Sequence, residues 1–165
     1  MLHPESTAYN LFEGDKYDVV NLPSVDHWTI KSKGKDIKQD LVMGVEGKVS
    51  RRAYPLPLVE ERVCYNDVID ETPVTVFWYG PTQSGVAWKR KINGKLLTFR
   101  ADTIAPETAP FMDNETNSRW TLAGRAVDGP MRGTELEWVP SIQCRDAAWK
   151  AEYPETSWFK PDVQP

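Results

Sequence analysis

Histidine is nearly absent from this 165-residue chain; His3 and His27 are its two. No His-x-x-x-His or His-Glu-x-x-His spacing occurs, which removes the common imidazole metal sets. Cysteine is as scarce. Cys64 and Cys144 lie too far apart for a Cys-x-x-Cys metal or redox motif. Two readings of the pair stay open: two buried thiols, or one disulfide made in an oxidising compartment. No apolar run approaches the ~20 residues of a membrane-spanning helix. A basic excess is missing too: the formal net charge is −4, which argues against nucleic acid as a partner. Walker A, Gly-x-Gly-x-x-Gly and Gly-x-Ser-x-Gly patterns are all lacking. Ser84, in Gln83-Ser84-Gly85, has no nearby histidine to act as its base. No metal and no cofactor is expected. Met1-Leu2-His3-Pro4 lacks the basic start and apolar stretch of a signal peptide, so the protein is either cytoplasmic or carries a leader already removed.

What is present suits one globular domain able to bury its own core. Hydrophobic residues make up 40% of the chain and charged ones 27%, which is ordinary. Seven tryptophans are more than ordinary, and an exposed subset of them would mark an interaction face. Thirteen prolines and ten glycines are scattered, so they read as turns. Between Lys31 and Arg52 seven basic residues face three acidic ones, while from Ala101 onward acids outnumber bases eleven to six. The first stretch reads as a solvated lysine-rich segment.

Residues 1–40 read as an irregular N-terminal extension, with short apolar stretches at Tyr17–Val20 and Trp28–Ile30. Residues 41–160 read as a single β domain, and residues 161–165 as a tail. Leu41–Val45 and Arg62–Ile69 predict strands. Pro73–Tyr79 is bulky at both parities, Val74, Val76 and Trp78 against Thr75, Phe77 and Tyr79, and predicts a strand buried on both faces. Val86–Ile92 and Lys95–Arg100 flank Asn93-Gly94, the strongest short-range hairpin signal, because both central residues of a type I′ turn need positive φ. Arg119–Leu122 and Thr134–Val139 predict further strands, and Arg145–Glu152 a short helix. The fold class is therefore all-β: a mostly antiparallel sandwich or barrel-like sheet with one short C-terminal helix.

From Val42 onward the chain resembles a prokaryotic family of unknown function whose members are often exported. Val42-Met43-Gly44-Val45 and Ala53-Tyr54-Pro55-Leu56 open the resemblance. Asn66-Asp67 and Pro73-Val74 follow. The family's Tyr-Cys-Pro-Leu-[Thr/Cys]-Gly loop corresponds to Tyr79-Gly80-Pro81-Thr82-Gln83-Ser84-Gly85. Its Asp-x-x-Thr-x-Ser-x-Trp motif is met by Asp113, Thr116, Ser118 and Trp120. Gly124, Ala126, Gly129-Pro130, Gly133 and Leu136 come next, and Trp149, Tyr153, Pro154 and Thr156 close it. Two departures stand out. Gly80 occupies the loop cysteine's place, and Arg62-Val63 stands where the family often has His-Glu. Cysteine and histidine are the side chains best suited to nucleophilic, redox or metal chemistry near neutral pH.

Two functional expectations follow. The first is a non-catalytic binding or scaffold module, an accessory subunit of a larger exported assembly that holds another protein through its N- and C-terminal tails. The resemblance favours an extracytoplasmic location. The alternative is an enzyme or a small-ligand or metal-binding protein. Its pocket would lie around Tyr79, Gly80, Pro81 and Gly85 together with Asp113, Thr116, Ser118 and Trp120. That second set also has a plainer reading, a turn that fixes strand register with Trp120 in the core.

Overall fold

The computed structural model describes residues 31–32, 35–36, 41–57, 61–102 and 104–160. Tyr17–Val20 and Trp28–Ile30 lie outside the described residues. The chain divides into two compact units, Met1–Lys38 and Gln39–Pro165. The first contributes two short antiparallel strands among the described residues, β1 (Lys31–Ser32) and β2 (Lys35–Asp36).

Among the described residues the second unit holds three larger sheets and one two-stranded one. Its centre is formed by β5 (Arg62–Ile69), β6 (Thr72–Tyr79) and β7 (Ser84–Lys89), antiparallel throughout. The bulky alternation along β6 explains its place. Val74, Val76 and Trp78 face one hydrophobic cluster with Met43, Val45, Tyr54 and Phe159. Phe77, of the other parity, faces a second cluster with Phe99, Phe111 and Trp120. Both faces are buried, as the sequence predicts.

Under the first cluster lies a sheet ordered β14 (Ser141–Arg145), β3 (Leu41–Glu46), β4 (Arg51–Leu56) and β15 (Ser157–Trp158), with β15 parallel to β4. Its outer face carries α1 (Asp146–Glu152), whose Trp149 packs on Val42 and Ala53. Gly44 makes this possible: a Cβ there would fall 2.2 Å from the Trp149 ring. Over the second cluster lies the sheet β10 (Phe99–Ala101), β11 (Phe111–Asp113), β12 (Arg119–Trp120) and β13 (Ala126–Asp128).

The Asn93-Gly94 turn forms as expected, with φ of 49° and 79°, joining β8 (Lys91–Ile92) to β9 (Lys95–Leu96). The first arm is broken at Arg90. This buried residue still bonds Pro73 O of β6 through its backbone amide and sends its guanidinium to the carbonyls of Asp67, Val74 and Leu97. Thr134–Val139 is shared between two neighbours instead of making one strand. Thr134 O and Leu136 N bond to Ala126 and Gly124, while Glu137 O and Val139 N bond to Lys89 and Ala87 on β7. Three unanticipated strands, β4, β14 and β15, complete the lower sheet.

Candidate functional site

The Asp113–Trp120 segment is the turn between β11 and β12. Asp113, Ser118 and Trp120 are fully buried. The Asp113 carboxylate accepts from Thr116 N at 2.5 Å, from Thr116 Oγ1 at 2.8 Å and from Trp120 Nε1 at 2.8 Å. Thr116 has one hydroxyl proton and gives it to the carboxylate. The 2.7 Å contact between Thr116 Oγ1 and Ser118 Oγ must then be donated by Ser118. Ser118 Oγ in turn accepts from Met131 N at 2.9 Å. Gly129 supplies the room: a Cβ there would lie 2.7 Å from Ser118 Cα. The four motif residues do come together, and their polar atoms are turned on one another. Asn114, first residue of an Asn-Glu-Thr triplet, accepts from Arg100 Nη1 at 2.5 Å.

The other loop begins where β6 ends. Gly80–Thr82 form one 3₁₀ turn, with Pro81 exposed and Gly80 buried. Gly80 N donates to Glu61 O at 2.7 Å. Arg62 is the cross-strand partner of Tyr79 and lays its guanidinium 5.4 Å from the centre of that ring. Its Nη1 donates to the carbonyls of Asp102 and Ala105, each at 2.8 Å. Tyr79 is buried, and its hydroxyl has no hydrogen-bond partner among the described residues. Gly85 faces Met43, whose methyl would lie 2.7 Å from an added Cβ. Gly85 N and Gln83 O both bond the Gln143 side-chain amide, which bridges β7 to β14.

The two halves of the expected pocket are anchored at different points along β5. Arg62 and Tyr79 sit at the Asp102 end of β5, whereas Asp113 pairs with Phe99, itself bonded to Asn66. Four residues of extended strand separate Arg62 from Asn66, about 13 Å. The two departures, by contrast, are neighbours: Arg62 opposes Tyr79, and Gly80 bonds the residue before Arg62. Among the described residues, cavities lie elsewhere. One of about 220 Å³ lies over Ile69, Val74 and Val139 beside Lys48 and Lys89. Another, of about 450 Å³, lies between Ser50-Arg51 and Glu152–Thr156.

Cys64 and Cys144 are free thiols, so the disulfide left open by the sequence is not formed. They pack into different clusters. Cys64 lies beneath the upper sheet and Cys144 beside Trp149 on the outer face of the lower one. Burial pushes both thiols up, Cys64 well above its ordinary value. Among the described residues no three His, Cys, Asp or Glu side chains are grouped to hold a metal ion. Of the tryptophans, Trp78, Trp120 and Trp149 are core residues, while Trp138 is 54% exposed beside Trp88.

Sequence reasoning missed a polar junction below the first cluster. Asp67 accepts from the buried Tyr54 hydroxyl at 2.8 Å and from Arg52 Nη1 at 2.5 Å. Burial first and the Asp67 charge second push the Tyr54 phenol far up. Arg90 was missed as well, since between Lys89 and Lys91 it looks like part of a solvated basic run.

A family model described as "Protein of unknown function (DUF3179)" matches residues 20–164. The chain belongs to that family. The DUF3179 match starts 22 residues ahead of Val42, so it takes in part of the first unit as well. No curated protein and no solved structure matches the chain. No helix among the described residues is long and apolar enough to cross a membrane.

Proposed function

We propose that this DUF3179 chain is a non-catalytic binding or scaffold module, acting as an accessory subunit of a larger periplasmic or extracellular assembly. The observation that carries the reading is the pairing of Arg62 with Tyr79-Gly80. The two positions at which the chain departs from the resembled cysteine and histidine are next to each other, which supports reading them as one lost site. Arg62 gives its guanidinium to two backbone carbonyls, and Gly80 offers only a backbone amide, already donated to Glu61 O. An arginine and a glycine cannot replace an imidazole and a thiolate. The framework is meanwhile kept: Trp78 and Trp120 are buried, and Gly85 and Gly129 lie close against Met43 and Ser118. The exposed Trp138 fits a binding role, since tryptophan is enriched where partners dock.

Native co-purification tests the reading. A protein partner in stoichiometric amount, lost on deletion of residues 1–16, is the expected result. A bound metal or small molecule without any protein partner refutes it. Restoring the site tests its premise. The double variant Gly80→Cys with Arg62→His gains metal binding or a reactive low-pKa thiol if the two positions formed one site. An unreactive thiol and no metal uptake sink the idea of a lost site.

A further inference from the structure

The edge of β4 holds a peptide-like guest. Ser157, Trp158 and Phe159 run parallel to β4, with Ser157 opposite Arg52 and Trp158 opposite Ala53. Phe159 N donates to Ala53 O at 2.9 Å. Ser157 Oγ donates to Arg51 O at 3.2 Å and accepts from Arg52 Nε at 3.0 Å. Phe159 then turns inward and is buried between Tyr54 and Tyr65, with ring centres 5.0 Å from each. Trp158 points to the opposite side, where Lys150 Nζ lies 4.8 Å from its ring centre. Main-chain bonds to a sheet edge, with alternate side chains read by separate pockets, is the way extended peptides are bound by strand addition. Here the slot has three elements: the Arg51 and Ala53 carbonyls, the Arg52 guanidinium for a hydroxyl, and the Tyr54–Tyr65 cleft for an aromatic ring.

The guest is lightly held. Its strand has two residues, it forms the outer edge of its sheet, and Phe159 is its one fully buried side chain, with Trp158 half-buried against Val42, Ala53 and Trp149. Short edge pairings with a single anchor open well below the free energy of global unfolding.

We infer that the β4 edge and the Tyr54–Tyr65 cleft form a strand-addition site for an extended hydroxyl–Trp–Phe segment. The chain's own Ser157–Phe159 fills it and can be exchanged for the same segment of a second copy. The inference stands on the edge geometry and does not rest on the loss of chemistry at Arg62 and Gly80.

The test uses the full chain with Phe159→Ala, which removes the anchor but keeps the site. A fluorescent peptide of residues 155–160 is titrated against it and followed by anisotropy. Saturable binding is expected, weakened roughly tenfold or more when the peptide carries alanine in place of Phe159. The unaltered chain, its slot filled, binds the peptide more weakly than the variant. A variant that keeps its β circular dichroism and cooperative unfolding yet takes up no peptide overturns the inference. Should Phe159→Ala not fold, Ser157→Pro strips the hydroxyl bonds and keeps the anchor, with the same two outcomes. If neither variant folds, the segment is integral to the core and the inference is wrong.

Discussion

Replacing Asp113 separates a structural knot from a working site. Asp113→Ala removes the acceptor of Thr116 N, Thr116 Oγ1 and Trp120 Nε1. An orphaned buried donor costs about 1–3 kcal/mol. Trp120 is fully buried and bears that cost in full, whereas Thr116 is half-buried and regains part of its bonding from water. The total is about 3–5 kcal/mol, a large share of the ~5–15 kcal/mol that holds a typical domain together. Asp113→Asn keeps one carbonyl oxygen but turns an N–H toward the other donors, for a loss of about 1.5–3 kcal/mol. With a urea slope near ~2 kcal/mol per molar, Asp113→Ala lowers the unfolding midpoint by about 1.5–2.5 M. Trp120→Phe combined with Asp113→Asn then costs less than the two changes summed, because the donor and its acceptor leave together. Tryptophan fluorescence or circular dichroism in urea measures the parent and its four variants. A midpoint shift under ~0.5 M for Asp113→Ala, with the slope unchanged, refutes the reasoning. Catalytic carboxylates commonly carry a stability cost, so a more stable Asp113→Ala would point instead to a site of chemistry.

Three further outcomes are expected. Gly44→Ala drives a methyl into the Trp149 ring and destabilises the fold by about 1–3 kcal/mol, read as a lower Tm with loss of near-ultraviolet dichroism; an unchanged Tm would mean that α1 does not pack on β3 as described. Asp70 is held below the usual carboxylate range, first by the Ser50 amide, then by the Val49 amide and the Ser50 hydroxyl. A depressed folded pKa gives stability that is present above the unfolded value of about 4 and is lost as pH falls through the folded one. Asp70→Asn is therefore less stable than the parent near neutrality, and the gap closes below about pH 4; a constant gap across acid titration rules this out. Finally, a thiol reagent at mildly alkaline pH modifies Cys144 ahead of Cys64 in the folded chain and both after denaturation. Loss of reactive thiol that only a reductant restores would reveal the disulfide instead.

The sequence was legible where local chemistry decides the outcome. Pro73–Tyr79 has no polar parity, so no half-exposed strand suits it, and Asn93-Gly94 supplies both positive-φ residues of its turn. Legibility fails where distant groups decide. Asp70-Glu71 turns β5 into β6 with φ of 47° and 65°, though neither residue is glycine. The turn is held by Val49 and Ser50, some twenty residues away, bonding the Asp70 carboxylate. Arg51–Leu56 hides its strand because Pro55 reads as a breaker, and Ser141–Arg145 because it sits on a sheet edge with polar residues among its apolar ones.

The candidate site divides in the same way. Spacing of two would put Thr116, Ser118 and Trp120 on one face of a strand; the structure groups them through a turn instead, with Asn117 at φ 56° and β12 starting only at Arg119. Parity cannot say whether that face is a pocket floor or a core. The answer lies with Met131 N, which donates to Ser118 Oγ, and with Gly129, which lets the chain close over it. Arg62 and Gly80 show the converse. Eighteen residues apart, they look unrelated until the β5–β6 register is counted outward from Ile69 opposite Thr72, which brings Arg62 to Tyr79. A two-residue turn fixes that register by itself, so once the turn is known, the neighbourhood of the two departures follows from strand geometry alone.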